Sequence, residues 1–132
     1  LSSRKPTASE EYDIRVGFVT AKAMGGMDIG QTVVVKHKAV MAVEAIEGTD
    51  ACIRRGGALG REKSVVVKVA KPNQDQRFDV PAVGMTTLES MIESNCNVLA
   101  VEAGRTLFVE QEQVLAAADA HHICICAVDQ TF

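Results

Sequence analysis

Residues 65–84 read VVVKVAKPNQDQRFDVPAVG, and this stretch decides how the chain is built. Its first six residues, 65–70, form a nearly unbroken β-branched run, the pattern of a strand covered on both faces. Pro72 has no N–H to give to a ladder, and Pro81 pushes Val80 into an extended conformation. The residues between the two prolines are therefore expected to form a stiff, largely extended surface loop. In extended chain alternate side chains share a face, which puts Asp75, Arg77 and Asp79 in one row. Two carboxylates flanking a guanidinium suit a divalent cation held beside a phosphate, because hard cations take carboxylate oxygens and Arg matches phosphate oxygens in pairs. The same charges suit an ordinary solvated loop, and the residues alone leave both readings open.

Around this stretch the chain has 132 residues, 47% of them hydrophobic and 23% charged, which fits one globular domain with a real core. A net charge of -3 with no basic, aromatic-bearing patch gives no reason to expect a nucleic-acid partner. No run approaches the length of a membrane span, and the opening LSSRKPTASEE lacks the apolar core of a signal peptide. A soluble, cytoplasmic chain is expected, and the first residue, Leu1, suggests a piece of a longer protein. His121, His122, Cys124 and Cys126 superficially resemble a metal cluster. Ile123, Ile125, Ala127 and Val128 make the segment a buried strand instead, in which cysteine acts as a small hydrophobe, so reduced thiols and no zinc are expected.

Before the central stretch, Thr7 and Glu10 fit a capping box, opening a helix that runs to Gly25-Gly26 with Tyr12, Val16, Val19 and Ala23 at helical spacing. A strand over residues 32–36, a turn at His37-Lys38 and a strand over 39–44 make a hairpin. A helix over 51–59 follows, for which Thr49 or Asp50 serves as the cap, with Gly48 allowing close backbone approach. Such a start offers unpaired amides to an anion, although it is equally an ordinary cap. Arg54, Arg55 and the glycines at 56, 57 and 60 read as a basic, flexible exit. After the central stretch, Thr86 and Glu89 suggest a second capping box, with Leu88, Met91 and Ile92 on the apolar stripe. Strands over 98–102 and 107–109, a helix over 110–120 and a strand over 123–128 complete the chain. Residues 100–106, AVEAGRT, echo 42–49, AVEAIEGT, so Glu44 and Glu102 are candidates for comparable strand-end positions; chance would also produce so short an echo. The fold expected is α/β, a single domain with a mixed β-sheet and helices packed on it.

Four segments together, DIGQTVVVK at 28–36, AVEAIEGTDACIRRGG at 42–57, KVAKPNQDQRFDVPAVG at 68–84 and AVEAGRT at 100–106, resemble the C-terminal domain of the alternative UDP-2,3-diacylglucosamine pyrophosphatase family of lipid A biosynthesis. The resemblance extends from Pro6 to about Val128. It implies a magnesium-dependent hydrolase that splits the pyrophosphate of UDP-2,3-diacylglucosamine into UMP and 2,3-diacylglucosamine 1-phosphate (lipid X). The resemblance makes residues 1–132 the C-terminal, catalytic-type domain of a two-domain protein, with the site shared with an N-terminal domain that is absent from this chain. Carried over residue by residue, Asp79 is the catalytic aspartate with Asp75 and Arg77 beside it, and Asp79 and Asp75 hold Mg2+. Gln31, Thr49, Asp50, Lys71 and Arg105 are the expected substrate contacts. The resemblance leaves room for a peripheral contact with the inner membrane through the lipid substrate, and for a homodimer. The competing reading is a catalytically silent nucleotide-sugar-binding or regulatory module of the same fold. The His- and Cys-bearing end, HHICICAVDQTF, departs from the aliphatic last strand usual in the family.

Overall fold

A computed structural model of the chain describes residues 1–71 and 81–129. The helix α1, Ala8–Gly26, begins at the expected capping box: Thr7 Oγ1 accepts the Glu10 N–H (3.1 Å), and Glu10 Oε1 accepts the Thr7 N–H (2.9 Å). Strands β1, Thr32–Lys36, and β2, Ala39–Val43, form the hairpin. Its turn residues His37 and Lys38 both take positive φ, and Asp13 Oδ1 accepts the Lys38 N–H at 2.8 Å. Next come α2, Thr49–Gly60, β3, Ser64–Lys68, β4, Ala82–Val83, and α3, Met85–Glu93. The chain finishes with β5, Cys96–Glu102, β6, Leu107–Phe108, α4, Gln111–Ala120, and β7, Cys124–Val128.

Five strands make a mixed sheet in the order β2-β1-β3-β5-β7, while β4 and β6 form a small parallel pair. β1 lies antiparallel to both of its neighbours, and β3, β5 and β7 run parallel. Alternation along each strand divides the core in two. Val33, Val35, Val65, Val67, Val98, Ala100 and Cys124 face α1, which covers them with Ile14, Phe18, Ala21 and Met24. Val34, Val66, Leu99, Val101 and Ile125 face the other layer, built from Ile53 of α2, Leu88 and Met91 of α3, and Val114 and Ala118 of α4. Each of the fully buried aliphatic side chains contributes about 1.5–3 kcal/mol through removal from water. The sheet is thus sandwiched between one helix and three, as an α/β domain with a mixed sheet should be.

Four local expectations are corrected. The buried stripe of α1 is Ile14, Phe18, Ala21 and Met24, whereas Tyr12, Val19 and Ala23 are exposed. Helix α2 starts earlier than expected, with Gly48 as its cap at φ +92°, so neither Thr49 nor Asp50 caps it through a side chain. Helix α3 likewise begins from Gly84 without a side-chain cap, so the Thr86–Glu89 box is not formed. Arg54, Arg55 and the following glycines are no flexible exit: they belong to α2, and Gly56, Gly57 and Gly60 are buried. A Cβ on Gly56 would lie 2.5 Å from Val34 Cβ, and one on Gly57 would lie 2.6 Å from the Ser94 carbonyl oxygen. The absent side chains let α2 sit directly on the sheet and on the end of α3.

Candidate functional site

Because β1 is antiparallel to β2 and β3, the C-terminal ends of β2, β3, β5 and β7 share one edge of the sheet with the start of β1. The first turn of α2 opens on that edge as well. Ligands of open α/β sheets bind at such carboxyl ends. Residues 72–80, which contain Asp75, Arg77 and Asp79, lie outside the described residues. Both of their flanks are at this edge: Lys68 Nζ donates to the Ala82 carbonyl (2.9 Å), and the Leu107 N–H to the Pro81 carbonyl (2.9 Å).

The five expected substrate contacts are all at the same edge. Gln31 ties β1 to the exit of β3, donating from Nε2 to the Val69 carbonyl (2.9 Å) while its own carbonyl accepts the Val69 N–H (3.0 Å). Its N–H goes to Glu44 Oε1 (3.2 Å). The Thr49 hydroxyl sits 3.3 Å from that of buried Thr32, joining the start of α2 to β1. Asp50 is half-buried in the first turn of α2. Lys71 Nζ reaches Asp28 Oδ1 at 2.5 Å, and this bond holds the exposed Asp28 carboxyl below the usual carboxylate range. Arg105 is exposed in the turn after β5, its Nε 3.9 Å from Glu102 Oε2.

Three further residues belong to this edge. Lys68 is half-buried; burial pushes its pKa down, against the opposing influence of Glu44 and Asp50. Its only sequence signal is a lysine inside a valine run. Glu102, 4% exposed, takes both oxygens to Lys22 Nζ (3.1 and 3.0 Å) and accepts the Ala70 N–H at 3.0 Å. The echo between 42–49 and 100–106 is therefore positional: Glu44 and Glu102 each stand at the carboxyl end of a strand and each accept a backbone N–H from the neighbouring strand's end. Lys22 gave no signal, since only the fold brings it to Glu102.

Chemically, this edge gathers ammonium and guanidinium groups (Lys68, Lys71, Arg105), carboxylates (Asp28, Glu44, Asp50) and the uncapped amides of α2. Such a set can hold a phosphorylated ligand. Among the described residues no three His, Cys, Asp or Glu side chains are placed to hold a metal ion. Asp75 and Asp79, the two carboxylates expected to hold Mg2+, lie outside the described residues. At the opposite edge a cleft is lined by Arg4, Glu10, Asp13, Lys63, Asn97 and His122, but Arg4 is spent on Glu10 (2.9 Å) and Asp13 on the hairpin. The last segment buries Ile123, Cys124, Ile125 and Val128 as expected, with Cys126 half-buried, while Ala127 is exposed. Among the described residues no helix is long and apolar enough to cross a membrane.

The UDP-2,3-diacylglucosamine pyrophosphatase LpxI of Caulobacter vibrioides is 36% identical over 137 residues, an alignment covering 98% of this chain and 49% of the relative. The chain thus spans about half the length of the curated relative it matches. A family model described as the LpxI C-terminal domain matches residues 1–126. That match takes in every strand through β6 and stops within β7, and the chain belongs to the LpxI C-terminal domain family.

Proposed function

We propose that the full-length protein containing this chain hydrolyses the pyrophosphate of UDP-2,3-diacylglucosamine, giving UMP and 2,3-diacylglucosamine 1-phosphate in lipid A biosynthesis. This chain supplies the C-terminal wall of a site shared with an N-terminal domain. The observation that carries the reading is the convergence of Lys68, Lys71, Arg105 and the uncapped start of α2 on the edge where residues 72–80 leave and return. Pyrophosphate hydrolysis requires charge to be neutralised on the phosphoryl oxygens while a water is aimed at phosphorus.

In this reading Arg105 and Lys71 face phosphate oxygens, and Thr49 with the first-turn amides of α2 receives a second phosphate. Gln31 holds the β1 and β3 ends in register. Arg77 adds a guanidinium, and one of Asp75 and Asp79 takes the proton of the attacking water. Magnesium, held by Asp75 and Asp79, supplies charge neutralisation when bound. The exposed Met27, Ile29 and Ile46 at the same edge suit the acyl chains of a lipid substrate presented at the cytoplasmic surface of the inner membrane.

The test is incubation of the full-length protein with UDP-2,3-diacylglucosamine and magnesium, with and without EDTA, following UMP. Magnesium-dependent release of UMP is expected. Tight binding without release would instead identify a silent nucleotide-sugar-binding module.

A further inference from the structure

We infer that Lys22 and Glu102 are positioning residues: a buried ion pair that fixes the backbone at the exit of β3 and the turn bearing Arg105, and that touches no substrate itself. Past Lys68 the strand has left its ladder, and the last cross-strand bond is from Val69 N–H to the Gln31 carbonyl. One residue on, the pair grips Ala70 from both sides: Glu102 Oε1 accepts its N–H (3.0 Å), and Lys22 Nζ donates to its carbonyl (3.1 Å). Lys71 follows directly, and then Pro72, which has no N–H with which to anchor itself.

The same Glu102 holds the other side of the site. Its backbone carbonyl accepts the Arg105 N–H (3.3 Å) and the Thr106 hydroxyl (3.1 Å), closing the turn that presents Arg105. One residue therefore sets the relative placement of two cations assigned to phosphate, Lys71 and Arg105.

The donor count excludes a direct role. An ammonium has three protons. Those of Lys22 meet three acceptors, both Glu102 oxygens and the Ala70 carbonyl, leaving none for a ligand. The Lys22 side chain is 17% exposed and that of Glu102 5%. A pair so buried gives little stability over a well-packed apolar replacement, because desolvation offsets the attraction. What it does supply is a single backbone path, and misplacing reacting groups by about 1 Å can cost ~100-fold in rate.

The inference rests on the proposed function for its kinetic arm and on the geometry alone for its exchange arm. In the full-length protein, Lys22→Met, Glu102→Gln and the double variant Lys22→Met/Glu102→Leu are compared by thermal melting, by amide exchange at Ala70, and by kcat and KM for UDP-2,3-diacylglucosamine. Each single variant should melt lower, because it strands a buried partner. The double variant should recover the melting temperature while exchange at Ala70, whose N–H loses its Glu102 side-chain acceptor, quickens at least ~10-fold. Its kcat should remain ~10- to 100-fold down with KM changed much less. Full recovery of both exchange protection and kcat with the melt would overturn the inference, reducing the pair to packing. A wild-type protein without turnover would instead sink the proposed function, and the exchange arm would still decide the role of the pair.

Discussion

At the scale of single residues, burial pushes the Cys52, Cys96 and Cys126 thiols up to about 12 and raises Cys124 as well. A thiol reacts as its thiolate, so at pH 8 a thiol with a pKa near 12 should react about a thousandfold more slowly than a free cysteine. Titration with a chromogenic disulfide should find all four slow in the native protein and fast in denaturant; a rapid native thiol would contradict the burial. In the full-length protein, Asp79→Ala and Asp79→Asn should each lower kcat and kcat/KM together by ~10²-fold or more with little change in KM, as expected when a transition-state interaction is lost. Turnover within a few fold of the parent in both variants would make Asp75 or Asp50 the better candidate. Which residues gather at the candidate edge was only partly legible in the sequence. Glu44 and Glu102 announced themselves through an echo, but Lys22 lies far from Glu102 along the chain. Lys68 looks like an interruption of a strand until the fold sets it beside Glu44 and Asp50.

At the scale of elements, strands were easier to read than helix details. Runs such as TVVVK and SVVVK are β-branched throughout, and a buried strand needs little else. Helix α1 carries two overlapping apolar patterns, and only the sheet selects the one through Ile14 and Phe18. Glycines were the largest source of error. Local chemistry treats them as breakers, yet in α2 the decisive quantity is clearance from neighbours. Gly56→Ala gains helix propensity of about 1 kcal/mol but drives a methyl against Val34, where overpacking costs typically 1–3 kcal/mol. Gly56→Ala should therefore lower the denaturation midpoint. Gly26→Ala, with nothing within 4 Å of its added Cβ, should leave it unchanged or raise it slightly. If chemical unfolding ranks the two alike, close packing of α2 is not what those glycines serve.

At the scale of the whole molecule, the two cores on either side of the sheet are filled by side chains of this chain itself. Residues 1–132 alone should melt in one cooperative transition, and a broad melt would show that another domain completes the core. The same fragment should turn over no UDP-2,3-diacylglucosamine, while the full-length protein does; parental rates from the fragment would refute a site with two walls. The antiparallel setting of β1 has a kinetic consequence. The β1–β2 hairpin closes across two residues, so it can assemble within microseconds, whereas β5 and β7 must each find a parallel neighbour across a helical crossover. β3, flanked by β1 on one side and β5 on the other, is where the local half of the sheet meets the slow half. Refolding should therefore be limited by the docking of β5 onto β3. Truncations at Leu99 or Val66 should slow it, while changes at the exposed Val40 of the outer hairpin strand should alter mainly the unfolding limb.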